Sequence, residues 1–232
     1  MNNHIKHIFF DLDRTLWDFE KSAEQAFDKI HEKHNLINFG VPSGASFHEA
    51  YTIHNERLWG QYRKGEIKKE ILRGLRFNLT LKDFGIVNND LGEAIGDDYV
   101  RISPMLVNLF PYAIEILEYL QKKYTLHIIT NGFAEVQAVK LHESKMRKYF
   151  DQIITSEEAG VKKPEPKIFR FAFDSSGAKP EESIMIGDDY EVDILGAINM
   201  NMEQIFFDPY GLQPNAICSH RITNLEEIKE IL

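Results

Sequence analysis

Two aspartates separated by one residue stand directly after the first apolar run of the chain. Residues 8–10 are Ile-Phe-Phe, and Asp11 and Asp13 follow them. Such a run is typical of a buried strand, and ligands bind where the strands of a parallel sheet end. Neighbouring carboxylates repel each other unless a cation or a shared proton separates them, and Mg²⁺ prefers oxygen ligands. The pair predicts a magnesium site, although aspartates are also common in ordinary turns.

Two further segments have the residue types needed to bind phosphate. Thr130, Asn131 and Gly132 end a second apolar run at 126–130, and hydroxyl, amide and loop N–H groups can cradle a phosphate. Lys163 stands at the start of a helical pattern, from where its ammonium could neutralise phosphate charge. Each segment has an ordinary alternative, because Asn-Gly is a common turn dipeptide and loop lysines are usually solvated.

An acidic segment follows a further apolar run at 183–187. Gly187 allows a sharp turn, and Asp188 is then expected to lie over the sheet edge near Asp11. Asp193 falls on the first turn of the next predicted helix, where the helix dipole favours an acid in any case. Because each of the four segments follows a different predicted strand, we interpret them together as one site.

The elements that must position these residues alternate along the chain. Five apolar runs are predicted strands, at 5–10, 126–130, 152–155, 183–187 and 204–207. Helical stripes at 113–123 and 165–175 lie between them. Strands alternating with helices predict an α/β fold with a doubly wound, Rossmann-like parallel sheet and right-handed crossovers.

The interval between the first two strands breaks this alternation. It contains helical patterns at 22–34, 47–64 and 69–81. We therefore predict a catalytic core made of residues 1–17 and 104–232, with an inserted α-helical cap domain at 18–103.

Composition excludes several classes of protein. A formal net charge of -9 over 232 residues argues against a general nucleic-acid binder. The single cysteine, Cys218, cannot form an internal disulfide, and no run approaches the roughly 20 apolar residues of a membrane span. The N-terminal apolar run is too short for a signal peptide, so we expect a cytoplasmic protein. The nine histidines lack a zinc-binding spacing and are expected to be solvated surface residues.

The order of these motifs resembles that of the haloacid dehalogenase superfamily of phosphotransferases, and the insert takes the position of that family's type 1 cap. The matching residues are Asp11, Asp13 and Thr15 in the first motif, Thr130 in the second, Lys163 in the third, and Gly187, Asp188 and Asp193 in the fourth. The true dehalogenases of this superfamily lack the second aspartate. The presence of Asp13 therefore disfavours carbon–halogen cleavage.

The resemblance implies a role for each of the acids. Asp11 would attack phosphorus and form an aspartyl-phosphate, while Asp13 would protonate the leaving oxygen and later deprotonate water. Mg²⁺ would be held by the side chains of Asp11 and Asp188 and by the backbone carbonyl of Asp13. Asp193 would orient that shell, and it stays open whether Asp189 also touches the metal.

The resemblance also assigns the phosphate-binding groups. Lys163, Thr130 and the N–H groups near Asn131 and Gly132 would stabilise charge on the transferred group.

A narrower similarity concerns the substrate. Residues 55–65, in the predicted cap, resemble a segment of the bacterial house-cleaning nucleoside 5′-monophosphate phosphatases, as do 130–133 and 156–161. Trp59 and Tyr62 are candidates for contact with the substrate, because aromatic faces stack on nucleobases. The alternative is that both lie on a helical stripe packed inside the cap. A further candidate, beside the hinge, is Phe19.

The leading hypothesis is a 5′-nucleotidase that prefers pyrimidine or damaged nucleotides and acts as a monomer or weak homodimer on a small phosphorylated metabolite. One alternative is a sugar-phosphate or phosphoglycolate phosphatase, or a phosphomutase. Another, of a different class, is a binding or regulatory protein without turnover. Neither a nucleic-acid polymer nor a membrane is an expected partner.

Overall fold

The computed structural model describes residues 4–232 and divides into two compact units. The core unit consists of the described residues up to Phe19 together with Val107–Leu232. The helical insert is Glu20–Leu106. The sequence prediction placed the two junctions after residues 17 and 103, whereas the two units divide after residues 19 and 106.

The core unit contains a six-stranded parallel sheet. Its strands are β1 (His7–Phe10), β2 (Thr125–Thr130), β3 (Phe150–Thr155), β4 (Ser183–Gly187), β5 (Glu203–Phe207) and β6 (His220–Ile222). Every neighbouring pair is parallel, and the order is β3-β2-β1-β4-β5-β6. The predicted α/β parallel sheet is thus confirmed. The strand order reverses between β1 and β4, and such a switch point opens a crevice at the carboxyl ends of the strands.

The continuous apolar runs form strands because both faces of the sheet are covered. Ile8 and Phe10 face one apolar cluster, whereas Phe9 between them faces another, as the alternation of side chains along a strand requires. All three side chains are fully buried. Strand β6 escaped prediction because it has only three residues, of which only Ile222 is buried.

The helical insert has four helices among its residues: α1 (Phe19–Lys33, which begins one residue inside the core unit), α2 (Gly44–Arg63), α3 (Lys69–Asp83) and α4 (Asn89–Ile102). Helix α4 was not predicted, since two glycines weaken its pattern. One of them, Gly96, packs closely against α3, because a Cβ atom there would lie 3.1 Å from the carbonyl oxygen of Arg73.

One buried carboxylate in the insert is surrounded by hydrogen-bond donors. Asp98 accepts hydrogen bonds from Lys33 at 2.7 Å, from His34 at 2.8 Å and from Arg101 at 2.5 Å. Burial alone would raise the pKa of Asp98, but these donors hold it well below its usual range. We call these four residues the Asp98 cluster.

Six helices flank the sheet in the core unit: α5 (Ala113–Leu120), α6 (Ala134–Glu143), α7 (Ser156–Ala159), α8 (Pro166–Ser176), α9 (Leu195–Ile198) and α10 (Ile228–Ile231). Helix α8 starts at a proline, whose fixed φ suits a first helical position. Gly177 follows its last residue and has a φ of 69°, a conformation that suits the end of a helix. No helix within residues 4–232 is both long enough and apolar enough to cross a membrane.

The expectation of solvated histidines is wrong for His127. This side chain lies fully buried in the middle of β2, where its ring stacks on Phe9 at 4.6 Å and its Nε2 lies 3.1 Å from Nδ1 of His7. Burial, reinforced by His7, lowers the pKa of His127 to about 4. His127 is therefore a core residue with a neutral ring. Its burial was not predicted because histidine is a polar residue type, although the residues beside it in this run are apolar.

Candidate active site

The site is built at the switch point, from the loops that follow β1 and β4. Asp11 is the first residue after β1, and its backbone N–H donates to the carbonyl of Ile186 in β4 at 2.9 Å. Lys163 reaches the same point, with Nζ 2.6 Å from Oδ1 of Asp11. Both residues are buried, with 8% of Asp11 and 1% of Lys163 exposed. This lysine is therefore an internal ion-pair partner and not a solvated loop residue.

Lys163 is held in place by three contacts of its ammonium. Besides Asp11, Nζ contacts Oδ1 of Asp193 at 2.6 Å and donates to the carbonyl of Ile129 at 2.7 Å. Two of the three N–H donors of this ammonium group are hydrogen-bonded, to Asp11 and Ile129, and the Asp193 carboxylate adds an ion pair. Burial alone would lower the pKa of Lys163, but the Asp11 and Asp193 carboxylates raise it above its usual range. The lysine therefore stays charged and fixes the position of Asp11.

Three carboxylates converge beside this lysine. Asp11, Asp188 and Asp193 each have a carboxylate oxygen within 4.8 Å of the others, and we call them the carboxylate cluster. Gly187 makes this approach possible, because any side chain there would collide with the carboxylate of Asp193. Thr15 is fully buried and donates its hydroxyl to Oδ1 of Asp188 at 3.2 Å.

The cluster holds more negative charge than its surroundings neutralise. Burial, with the nearby carboxylates, raises the pKa of Asp11 to about 7 in spite of Lys163. The same causes raise the pKa of Asp188 well above its usual range, and burial raises that of Asp193. A set of hard oxygen ligands with excess negative charge fits a divalent cation such as Mg²⁺.

Asp13 lies outside this cluster and has partners of its own. Its Oδ2 accepts a hydrogen bond from Nε2 of Gln137 at 2.9 Å, and its Oδ1 forms a short ion pair with Lys140. Both partners lie on α6 and are buried. Sequence reasoning missed both residues. The one available signal was their i, i+3 spacing on the first helix after the predicted phosphate loop.

The predicted phosphate loop is ordered by its own side chains. The backbone N–H of Gly132 donates to Oγ1 of Thr130 at 3.0 Å. Asn131 bonds the backbone of Lys163 twice, accepting from its N–H at 2.8 Å and donating to its carbonyl at 3.0 Å. The Asn131 amide therefore positions the loop that carries Lys163. The structure thus brings together the residues predicted after β1, β2, β3 and β4.

Asp189 lies outside the carboxylate cluster. Its Oδ1 accepts from the N–H groups of Glu191 at 3.1 Å and Val192 at 3.0 Å, which caps the following turn. That turn, Tyr190–Ile194, is π-helical and carries Asp193. Asp193, predicted to stand behind the metal ligands, is one of the three clustered acids.

The aromatic candidates are divided between the two units. Phe19 lies in the core unit, where Arg14 Cζ and Lys140 Nζ lie 5.0 and 5.6 Å from the centre of its ring. Trp59 and Tyr62 lie in the insert on α2, with their rings 5.5 Å apart and Tyr62 buried. Contact of any of these aromatic residues with a substrate stays a prediction.

Comparison with known proteins agrees with this arrangement. The profile of the haloacid dehalogenase-like hydrolases matches residues 5–201. The pyrimidine 5′-nucleotidase YjjG of Escherichia coli K12 is 31% identical over 229 residues, which cover 97% of this chain and 96% of that protein. A glyceraldehyde 3-phosphate phosphatase of Pyrococcus furiosus is 34% identical over 238 residues, covering 98% and 93%.

A solved structure is similar over the full length of the chain. The HAD-hydrolase YfnB of Bacillus subtilis, crystallised with bound magnesium, superposes with a TM-score of 0.89 at 26% identity and covers 99% of both chains. The family match spans both units and includes every residue of the carboxylate cluster. From its fold, its clustered acids and these similarities, the chain belongs to the haloacid dehalogenase-like hydrolases.

Proposed function

We propose that this protein is a Mg²⁺-dependent phosphomonoesterase that uses Asp11 as a covalent nucleophile. The observation that carries the proposal is the position of Asp11, which is buried at the switch point. Asp11 forms an ion pair with Lys163 and lies close to two further carboxylates. Asp11, Asp188 and the backbone carbonyl of Asp13 would hold the metal, with Asp193 beside them. When bound, Mg²⁺ would neutralise this excess charge and the charge on the transferring phosphoryl group.

In the first step, the Asp11 carboxylate forms a bond to phosphorus while the bond from phosphorus to the ester oxygen breaks. Asp13 enters this step protonated and gives that proton to the departing oxygen, so an alcohol leaves. The carboxylate left by this transfer is the form that pairs with Lys140. In the second step Asp13 takes a proton from water, whose oxygen attacks phosphorus and releases inorganic phosphate and free Asp11. Lys163 and the loop formed by Thr130, Asn131 and Gly132 stabilise the phosphoryl oxygens.

For the substrate, we propose a nucleoside 5′-monophosphate, which makes the enzyme a 5′-nucleotidase. Support comes from the similarity to YjjG along nearly the whole of both chains. The insert would then act as the cap that selects the leaving group, with Phe19, Trp59 and Tyr62 as candidate contacts. We also keep the predictions that the protein is cytoplasmic and a monomer or weak homodimer. Cell fractionation and size-exclusion chromatography would test them.

A second candidate substrate is a sugar or triose phosphate. It is favoured by the 34% identity to the Pyrococcus furiosus glyceraldehyde 3-phosphate phosphatase. This alternative keeps every role assigned to the core unit and changes only what the insert must recognise, because the phosphoryl group is common to both classes.

Phosphate release from a panel of nucleoside monophosphates, triose phosphates and sugar phosphates tests both proposals. The panel is run with Mg²⁺, with chelator, and with an Asp11→Asn variant. We expect release that needs Mg²⁺ and Asp11 and that favours nucleotides. Release confined to triose or sugar phosphates would contradict the nucleotide assignment, and full activity of the Asp11→Asn variant would contradict the mechanism.

A further inference from the structure

We infer that Lys140 and Gln137 are positioning residues that hold the Asp13 carboxylate in the orientation needed for proton transfer. This inference rests on the proposed function, because it assigns partners to the group proposed as general acid and base. Neither residue belongs to the four motifs read from the sequence.

The contacts of Asp13 are divided evenly between its two oxygens. Gln137 donates to Oδ2 at 2.9 Å, and Lys140 pairs with Oδ1. The two donors lie three residues apart on one face of α6. Two donors from a rigid helix fix both the position and the rotation of a carboxylate, whereas one donor would leave it free to turn.

The burial of Lys140 shows that this contact is not a surface ion pair. Only 3% of Lys140 is exposed, and lysines are almost never buried unless they are paired. Its Nζ also lies 5.3 Å from the centre of the Trp17 ring, and Trp17 is fully buried. Aromatic faces attract an ammonium but do not replace a carboxylate partner. Asp13 is therefore the charge that makes the buried position of this lysine tolerable.

Gly132 provides independent support from the neighbouring loop. Any side chain at residue 132 would collide with the amide of Gln137, so the glycine is needed for that amide to pass close to the loop. Gln137 is itself 1% exposed. The loop proposed to bind phosphate and the residue that orients Asp13 are thus packed against each other.

A held carboxylate matters because the Asp13 side chain is partly open to solvent. About a quarter of its side chain is exposed (27%), and it stands in a loop beside Arg14, which has a φ of 64°. General acid catalysis requires the acid within hydrogen-bond reach of the leaving oxygen, and small displacements are costly. The pair on α6 supplies that placement from outside the loop.

Dependence on the leaving group separates positioning from mere structural support. The value of kcat/KM reports the transfer of the phosphoryl group to Asp11. In this step an alkyl leaving group needs an acid to protonate its oxygen, whereas p-nitrophenolate leaves without one. For the best nucleotide or sugar phosphate of the panel, we expect Lys140→Met to lower kcat/KM about 100-fold. With p-nitrophenyl phosphate the loss of kcat/KM should stay below about 10-fold. Gln137→Leu should show the same difference between the two substrates, but a smaller one.

A burst of p-nitrophenolate should also appear in Lys140→Met, because slower activation of water makes the second step limiting. Lys140→Arg should restore most of the activity toward alkyl substrates. The matched control is His142→Ala, an exposed change on the same helix, which should leave both substrates unaffected. Thermal unfolding of each variant reports whether it is folded.

Equal losses on both substrates in folded Lys140→Met and Gln137→Leu variants would overturn the inference. If Lys140→Met does not fold, Gln137→Leu alone decides, since it removes one donor without removing a buried charge. Failure of the proposed function looks different, because wild-type protein would then release no phosphate, or Asp11→Asn would remain active.

Discussion

The two clusters of charged residues in this protein differ in which sign of charge is in excess. In the Asp98 cluster of the insert, one carboxylate is bonded by Lys33, His34 and Arg101. In the carboxylate cluster of the core unit, three acids lie close together, and the Lys163 ammonium contacts two of them, Asp11 and Asp193. The pKa of Asp98 lies below its usual range, whereas that of Asp11 is raised to about 7.

This difference separates a cluster that stabilises the fold from one that serves chemistry. The Asp98 cluster stabilises the folded state because its one carboxylate is fully paired there. An unbalanced cluster opposes folding, and such groups persist where a ligand completes the set. Substitutions that remove a charged group from one cluster or the other test this distinction.

The largest effect is expected on activity. Asp11→Asn removes the nucleophile while keeping the shape of the side chain, so phosphate release should fall by at least about 10³-fold. Asp174→Asn, an exposed change on α8, is the matched control and should retain full activity. Substantial turnover by Asp11→Asn would mean that the unbalanced cluster is not the catalytic centre.

Breaking the Asp98 cluster should lower stability and leave activity unchanged. Asp98→Asn leaves cationic neighbours without their carboxylate, and we expect a loss of about 1–3 kcal/mol, or several degrees in Tm. Scanning calorimetry measures this loss. An unchanged Tm would show that the Asp98 cluster is not a stabilising feature.

Removing one acid from the carboxylate cluster should raise the stability of the protein. Asp188→Asn removes one of three mutually repelling carboxylates, so the Tm in chelator should rise by about 2–4 °C. The rise in Tm that Mg²⁺ gives to the wild type should disappear in this variant. A lower Tm in chelator, or an unchanged response to Mg²⁺, would contradict the charge imbalance described here.

The smallest effect concerns His127, a buried group that is neutral and not paired with a carboxylate at hydrogen-bond distance. Its pKa of about 4 lies below the ordinary value of 6.5, so between these limits the unfolded chain binds a proton that the folded chain does not. The stability it contributes is therefore complete above about pH 6.5 and is lost as the pH falls toward 4.

We expect the Tm difference between wild type and His127→Gln to shrink when the pH is lowered from 7.5 to 5. Taking the difference cancels the opposing contribution of the carboxylate cluster, whose raised pKa values favour folding at acid pH. The control is Val87→Ala, a change at an exposed residue without a titratable side chain, which should give a difference that does not change with pH. A difference that grows on acidification would contradict burial of a neutral ring.

The sequence predicted those parts of the site that are local in the chain. Asp11 and Asp188 each directly follow a buried strand and Thr130 ends one, and parallel strands bring such positions to one edge. Lys163 was predicted to be near the site, but its three ammonium contacts depend on how its loop packs on β2. Neither a motif nor a periodicity encodes such contacts.

The parts that could not be predicted depend on tertiary packing. Gln137 and Lys140 are ordinary polar residues of a short helix until α6 is placed beside Asp13. Helix α4 was hidden by glycines that exist for close packing against α3. In both cases the contact partner is distant in sequence, so local pattern carries little of the information.

The central claim, that Asp11 carries the phosphoryl group, can be tested by trapping it. Protein is mixed with its best substrate and Mg²⁺, quenched in acid, digested, and analysed by mass spectrometry. We predict one phosphoryl group on the peptide containing Asp11, released by hydroxylamine as expected of an acyl phosphate, and absent from Asp11→Asn. A phosphoryl group on another residue, or rapid phosphate release with no phosphorylated protein in the wild type or in Lys140→Met, would contradict the account.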